Sequence, residues 1–307
     1  MPVLGIAQGF AVILGIIGAG YIAAITGVVK GEQRLALNKL AFYIATPALL
    51  FDVLHKSDPS VLLSPVILVT SIAAIIAAGA FVLASRLWFK RDLASTTLGA
   101  TSSGYVNSNN LGLPVAIYIL GDAAYVAPLL LVQLVIFAPF ILGILDSTRG
   151  RKGGALMAVG RAASNPVIVA SVAGFVFALL DIPVPEIALA PISMIGAAAI
   201  PMVLMSFGIS LHGQRALQPG TGRAAVFTAS GIKLLGMPLV AWALALAIGL
   251  GPHETFVAVT IAALPTAQNV YNYAATYQRA EIMVRDTVFL TTFASLPVIA
   301  AIAWLLG

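Results

Sequence analysis

The chain has 307 residues, 60% of them hydrophobic and only 9% charged. Soluble domains carry roughly a quarter of their residues as charges, so an ordinary water-soluble fold is excluded. The formal net charge of +5 would suit a nucleic-acid partner, but the basic residues lie in short segments between apolar runs, as topology determinants do. The absence of cysteine excludes disulfides, thiolate chemistry and cysteine metal sites.

The N-terminus, Met1-Pro2-Val3-Leu4, lacks a basic n-region, so the first apolar run reads as a retained span, not a cleaved signal peptide. A helix needs about 20 apolar residues to cross a bilayer. By that measure ten spans are predicted at about 6–28, 36–55, 62–88, 94–120, 123–146, 157–180, 186–211, 223–250, 254–277 and 283–306. The intervening loops are short, so successive helices should be antiparallel neighbours.

Charge sets the expected orientation. The first loop region holds Lys30, Arg34 and Lys39, and the third Arg86, Lys90 and Arg91. The fifth holds Arg149, Arg151, Lys152 and Arg161, the seventh Arg215 and Arg223, and the ninth Arg279 and Arg285. Fourteen of the sixteen Lys and Arg thus sit on odd loops, with Lys56 and Lys233 outside the pattern. The odd loops are expected in the cytoplasm and both termini outside.

Span four is interrupted by Gly104-Tyr105-Val106-Asn107-Ser108-Asn109-Asn110-Leu111-Gly112-Leu113-Pro114, with the break expected between Asn107 and Pro114. Proline lacks the N–H that would bond the carbonyl four residues back. Such a break survives at membrane depth only inside protein or against a water-filled cavity. Span nine carries Ala263-Leu264-Pro265-Thr266-Ala267-Gln268-Asn269; spans two and seven carry Pro47 and Pro201. The separations, 154 residues from Pro47 to Pro201 and 151 from Pro114 to Pro265, place interruptions alike in two halves. Five spans per half predict an inverted repeat, 1–150 and 151–307, whose paired interruptions mark a midplane site of a secondary transporter.

Half-helix N-termini at that site carry about +0.5 charge each and can receive a carboxylate. Asn107, Ser108, Asn109 and Asn110 on one side, and Thr266, Gln268 and Asn269 on the other, can donate to an oxygen-rich anion or accept from a cation. Tyr105, Tyr271 and Tyr273 can add an aromatic wall. The alternative is that these amides only satisfy backbone groups freed by Pro114 and Pro265. Lys233, inside span eight, either neutralises an anion or titrates there, or snorkels to the cytoplasmic surface. Asp52, at the outward end of span two, is a candidate proton relay or an interfacial residue; Asp58, Asp122 and Asp146 also lie near span ends. His55, His212 and His253 are scattered, so no metal site is expected. The run Gly15, Gly18, Ala19, Gly20, Ala23, Ala24 suits close helix packing within the chain or a dimer contact. No His-Glu-x-x-His or Gly-x-Ser-x-Gly motif points to an enzyme, while an anion channel or sensor stays open as an alternative.

Asn107-Ser-Asn-Asn-Leu-Gly112-Leu-Pro114, Leu-Asn-Lys-Leu-Ala-Phe-Tyr-Ile-Ala-Thr-Pro47 and Leu264-Pro265-Thr-Ala-Gln-Asn269 resemble the auxin efflux carrier family, which includes the plant PIN exporters and malate-permease-like bacterial proteins. The resemblance covers essentially the whole chain and lacks the long hydrophilic loop of many plant members, as expected of a prokaryotic one. It implies an all-α fold of two inverted five-helix repeats with broken crossover helices 4 and 9, shared with bile-acid symporters and sodium/proton antiporters. Helices 1, 2, 6 and 7 would form a scaffold and homodimer interface, and helices 3–5 and 8–10 an elevator-like transport unit in the bacterial inner membrane. The implied substrate is a small organic anion, an auxin-like acid or a dicarboxylate such as malate, with Asn107, Pro114 and Pro265 at the crossover. No cofactor is expected beyond Na⁺ or H⁺ as coupling ion; a sodium-coupled symporter of the bile-acid type is the alternative. Gln268, Asn269 and Asn272 depart from the more apolar plant pattern and favour a more polar substrate.

Overall fold

The computed structural model describes residues 2–29, 31–57, 64–148, 165–213, 217 and 222–307. Lys30, Asp58, Arg149, Arg151, Lys152, Arg161, Arg215 and the expected start of span six lie outside the described residues. The described chain is helical: α1 Pro2–Ile25, α2 31–56, α3 Pro65–Phe89, α4 Leu93–Gly104, α5 108–120, α6 Ala123–Ser147, α7 Pro166–Leu179, α8 Glu186–Leu211, α9 Arg223–Ala247, α10 Pro252–Ala263, α11 Gln268–Tyr277 and α12 Glu281–Leu306. Six of them (α2, α3, α6, α8, α9 and α12) are long and apolar enough to cross a membrane; Ala11–Ile25 of α1 and α7 are shorter apolar helices. Helices α4, α5, α10 and α11 are too short to span alone. They are the halves of predicted spans four and nine. This is the architecture of a multi-pass membrane protein, and large side chains such as Trp88, Ile187, Met194 and Trp304 cover its outside.

Prolines shape the helices without always breaking them. Wide five-residue turns at 41–45, 108–112, 133–137 and 232–236 each end two residues before a proline: Pro47, Pro114, Pro139 and Pro238. A wider turn moves the carbonyl that the ring would strike and leaves no hydrogen bond waiting for the missing N–H. Hence α5 runs through Pro114, and the first break lies earlier than expected, at Tyr105–Asn107. In α8 the distortion is a turn at Ala198, just ahead of Pro201.

Close packing uses small residues. A Cβ added to Gly20 of α1 would strike the Met205 carbonyl of α8, and one on Gly208 would strike the Ile17 carbonyl. The small-residue run of α1 is thus used within the chain at Gly20, while Gly15 and Gly18 have nothing within 4 Å of such a Cβ. Helix α1 packs on α8, and α2 on α7 and α8; α3 packs on α4, α9 and α10, and α12 on α9, α10 and α11.

Helix α4 begins at an N-cap, where Asp92 accepts from the Ser95 backbone N–H at 2.9 Å and the Ser95 hydroxyl at 2.8 Å. Partial burial works to raise the Asp92 pKa, but the Ser95 donors and nearby Arg279 outweigh it and hold the carboxyl below its usual range. A depressed folded-state pKa contributes stability that is present above the unfolded value and is lost as pH falls through the folded one. Asp92→Ala is therefore expected to cost about 1 kcal/mol at neutral pH. Melting curves of the two proteins should begin to approach each other below the ordinary carboxylate value of about 3.9 and converge only once the pH has fallen through the depressed Asp92 pKa. A gap undiminished once Asp92 is protonated would contradict the capping account.

Candidate functional site

The two breaks lie against each other. Val106 and Thr266 form an antiparallel bridge, the Asn107 N–H donates to the Pro265 carbonyl at 2.8 Å, and the Ala267 N–H donates to the Tyr105 carbonyl at 3.1 Å. Backbone groups that each helix gives up by ending are thus taken by the other, as they must be where water cannot reach. Side chains complete the exchange. The Thr266 hydroxyl donates to the Ser102 carbonyl at 2.6 Å, and the Thr266 N–H donates to the Thr291 hydroxyl at 3.2 Å. The hydroxyls of Thr101, Ser102 and Ser103 are absorbed by carbonyls one turn back in α4.

Gln133 of α6, which sequence reasoning missed, pins the first break. Its amide donates to the Val106 carbonyl at 3.0 Å and accepts from the Ser108 hydroxyl at 2.7 Å, while its backbone carbonyl accepts from the Tyr105 hydroxyl at 3.2 Å. The available signal was a single amide in an otherwise apolar run, Ala127 to Ile144.

The breaks open α5 and α11 toward a cavity of about 370 Å³, within the roughly 300–1,000 Å³ range of small-molecule sites. Asn109 and Asn110 from the first turn of α5 and Gln268 and Asn269 from that of α11 line it, and the Asn110 amide donates to Gln268 at 3.1 Å across the two. Asn109 in turn donates to Asn110 at 2.9 Å, leaving its own buried Oδ1 without a partner. The opposite wall comes from α2, with Arg34, Asn38 and Lys39, and from α12, with Arg285. No Asp or Glu is among the described lining residues. Arg285 is engaged by buried Asp286 at 2.9 Å, whereas neither ion pair among the described residues includes Arg34 or Lys39. Tyr271 contributes to the wall.

The other predicted residues sit elsewhere. Ser108, Pro114, Pro265 and Thr266 are buried in the protein and do not line the cavity. Asn107 is also buried beneath it; its Oδ1 caps α5 by accepting from the Asn110 N–H at 3.1 Å, and its Nδ2 is left unpartnered. Tyr105 is buried, held by Gln133. Asp52 pairs with Lys56 at 2.6 Å and accepts from the Ser193 hydroxyl at 2.7 Å, away from the cavity lining. Lys233 does not snorkel: it is fully buried and donates to the Ala262 carbonyl at 2.7 Å. His55 stacks on Phe51, His212 meets the edge of Tyr21, and His253 bonds the Tyr125 hydroxyl at 3.0 Å. Asp146, near a span end, accepts from the Tyr277 hydroxyl at 2.6 Å.

Residues 6–303 match the family model described as membrane transport protein. The chain belongs to this family, that of the auxin efflux carriers. Relatives of this membrane transport family cover nearly the full length. An uncharacterized transporter of Methanocaldococcus jannaschii is 24% identical over 303 residues, 96% of this chain and 97% of its own. One from Methanothermobacter thermautotrophicus is 28% identical, with 90% of each chain covered. A Rhizobium meliloti protein named "Putative malonate transporter" is 27% identical over 95% of this chain and 93% of its own. Membership in the family makes the protein a membrane transporter.

Proposed function

We propose that this transporter carries a small organic anion of the dicarboxylate class that malonate represents, binding it in the cavity at the paired breaks. The observation that carries this reading is the lining itself: two cations, Arg34 and Lys39, that belong to neither ion pair among the described residues line it together with amides and helix N-termini, and no carboxylate is among the described lining residues. Helix N-termini and amide N–H groups complement a carboxylate. The basic wall raises the local anion concentration and speeds capture. The name of the Rhizobium meliloti relative supports the substrate class.

In this reading α4–α5 and α10–α11 are the crossover spans of two inverted five-helix repeats, 1–150 and 151–307. Helices α1, α2, α7 and α8, which pack on one another, form the scaffold and the homodimer interface, and the rest move as an elevator-like unit. The charge distribution of the loops supports Arg34, Lys39 and Arg285 on the cytoplasmic side of a bacterial inner membrane, both termini outside and a cavity that opens inward. A sodium-coupled symporter of the bile-acid type is the second reading, favoured by the unpartnered Asn109 Oδ1, which can accept from a cation.

Thermal stabilisation of the purified protein tests both. A ligand of the native state at a hundredfold excess over its Kd adds about 2.7 kcal/mol of apparent stability. Malonate or a homologous dicarboxylate is expected to raise the melting temperature in the absence of Na⁺. That shift should be lost in Asn109→Ala and Gln268→Ala, and counterflow of the same acid should follow in liposomes. Stabilisation only with Na⁺ would replace the first reading by the second. Single-channel currents would refute a carrier altogether.

A further inference from the structure

Each half-helix that ends at the breaks leaves a carbonyl whose helical partner has been diverted, and the two are closed by different chemistry. In an unbroken helix the Val106 N–H would bond the Ser102 carbonyl and the Thr266 N–H would bond the Ala262 carbonyl. Val106 and Thr266 are the bridge pair, so Ser102 and Ala262 occupy equivalent places, each four residues before it. The Ser102 carbonyl is closed by the neutral Thr266 hydroxyl at 2.6 Å. The Ala262 carbonyl is closed by the Lys233 Nζ, which donates to it at 2.7 Å from the wide turn of α9. Lys233 also lies 3.3 Å from the Met237 sulfur and is fully buried, and neither ion pair among the described residues includes it. An unpaired ammonium inside a membrane protein is costly, and what offsets it here is the negative C-terminal end of α10. That end is exposed electrostatically because Pro265 supplies no N–H, the Leu264 N–H turns back to Ile261, and the Ala267 N–H goes to Tyr105.

We propose that Lys233 is a tethered cation: the chain's own ammonium fills the place at the end of α10 where a free inorganic cation would otherwise be drawn, and it fixes the 264–267 link. It is a positioning residue, acting on Gln268 and Asn269 through that link without lining the cavity. The consequence for transport, that the anion moves without Na⁺ bound at this end, rests on the organic-anion reading above. The capping role does not.

The test therefore pairs a readout that needs no anion with one that does. Melting of the wild-type protein in detergent should be the same in Na⁺ and N-methylglucammonium salts. Lys233→Ala should melt lower and be restored by n-propylammonium, which rebuilds the missing three carbons and charge, but not by n-propanol, which rebuilds only volume. Lys233→Met, filling the space without charge, should transport malonate at least about tenfold more slowly than wild type, the loss of one charge-assisted hydrogen bond. Equal rescue of Lys233→Ala by the alcohol, a wild-type melting temperature that requires Na⁺, or full transport by Lys233→Met would each overturn the proposal. Should Lys233→Ala fail to fold, Lys233→Met read by the same melt decides: a stability equal to wild type refutes the cap, a lower one supports it. A wild-type protein that responds to no carboxylate would refute the anion reading, and the propylammonium comparison would still judge Lys233.

Discussion

Replacing Gln133 by leucine is expected to stop transport and to destabilise the protein by about 2 kcal/mol. The substitution keeps the volume and removes both ends of the amide, so the Val106 carbonyl and the Ser108 hydroxyl lose the partners they have at 3.0 and 2.7 Å. The Val106 carbonyl keeps the Ser108 N–H at 2.8 Å, but the Ser108 hydroxyl is left unpaired. A buried polar group in that state costs roughly 1–3 kcal/mol, and no water is within reach, since Val106, Ser108 and Gln133 are all essentially unexposed. Leucine is also the better residue for an apolar span, so the loss cannot be blamed on hydropathy. Asn109→Ala is the contrast: Asn109 lines the cavity and its Oδ1 is already unpartnered, so that variant should lose anion affinity with little change in melting. A Gln133→Leu protein that melts like wild type would show that the first break holds itself in place.

The second large effect is expected from Gly208→Leu. Even the first carbon of the new side chain would collide with the Ile17 carbonyl, which belongs to the α1 backbone and has no rotamer by which to yield. Helices α1 and α8 would have to separate, giving up contacts on both sides of Gly20 as well. Overpacking of this kind costs typically about 1–3 kcal/mol when side chains can adjust and more when backbone must move, so loss of folded protein in detergent is the expected result. Gly15→Leu on α1, with open space around its Cβ, should fold normally. If Gly15→Leu instead separates a dimer into monomers on sizing, that face of α1 is an interface between copies; if Gly208→Leu folds as wild type, the α1–α8 contact is looser than described.

Much of this molecule was legible in one dimension. Apolar runs and sparse charge require a membrane protein, because the cost of burying charge in hydrocarbon is a property of composition and needs no fold to evaluate. The polar interruptions at 104–114 and 263–269 likewise marked the place where helices end, since glycine, asparagine and proline weaken a helix wherever it is placed. Pro265 sits in its break as expected. Pro114 does not, because a wide turn at 108–112 absorbs the ring, and the choice between a wide turn and a break is made by what the freed groups can bond to. Tyr105 and Asn107 had Pro265 and Ala267 to bond, and these lie some 160 residues away in the chain.

The same distinction separates the cavity residues from those that hold it. Asn109, Asn110, Gln268 and Asn269 face the open space, while Asn107, Ser108 and Thr266, of the same chemical types and from the same two stretches, are consumed by the breaks. Sequence could nominate all of them and rank none, because amide and hydroxyl groups serve a ligand and a backbone equally well. Gln133, Arg34 and Lys39 reach the site from other helices, and only their packing brings them there. Lys233 shows the limit most sharply: its depth was ambiguous by counting residues along α9, and what decided it was a carbonyl on α10 that the fold had left without a partner. Composition and local chemistry determined that the chain crosses a membrane and where its helices weaken; the pairing of two distant breaks decided which polar groups remain free to meet a substrate.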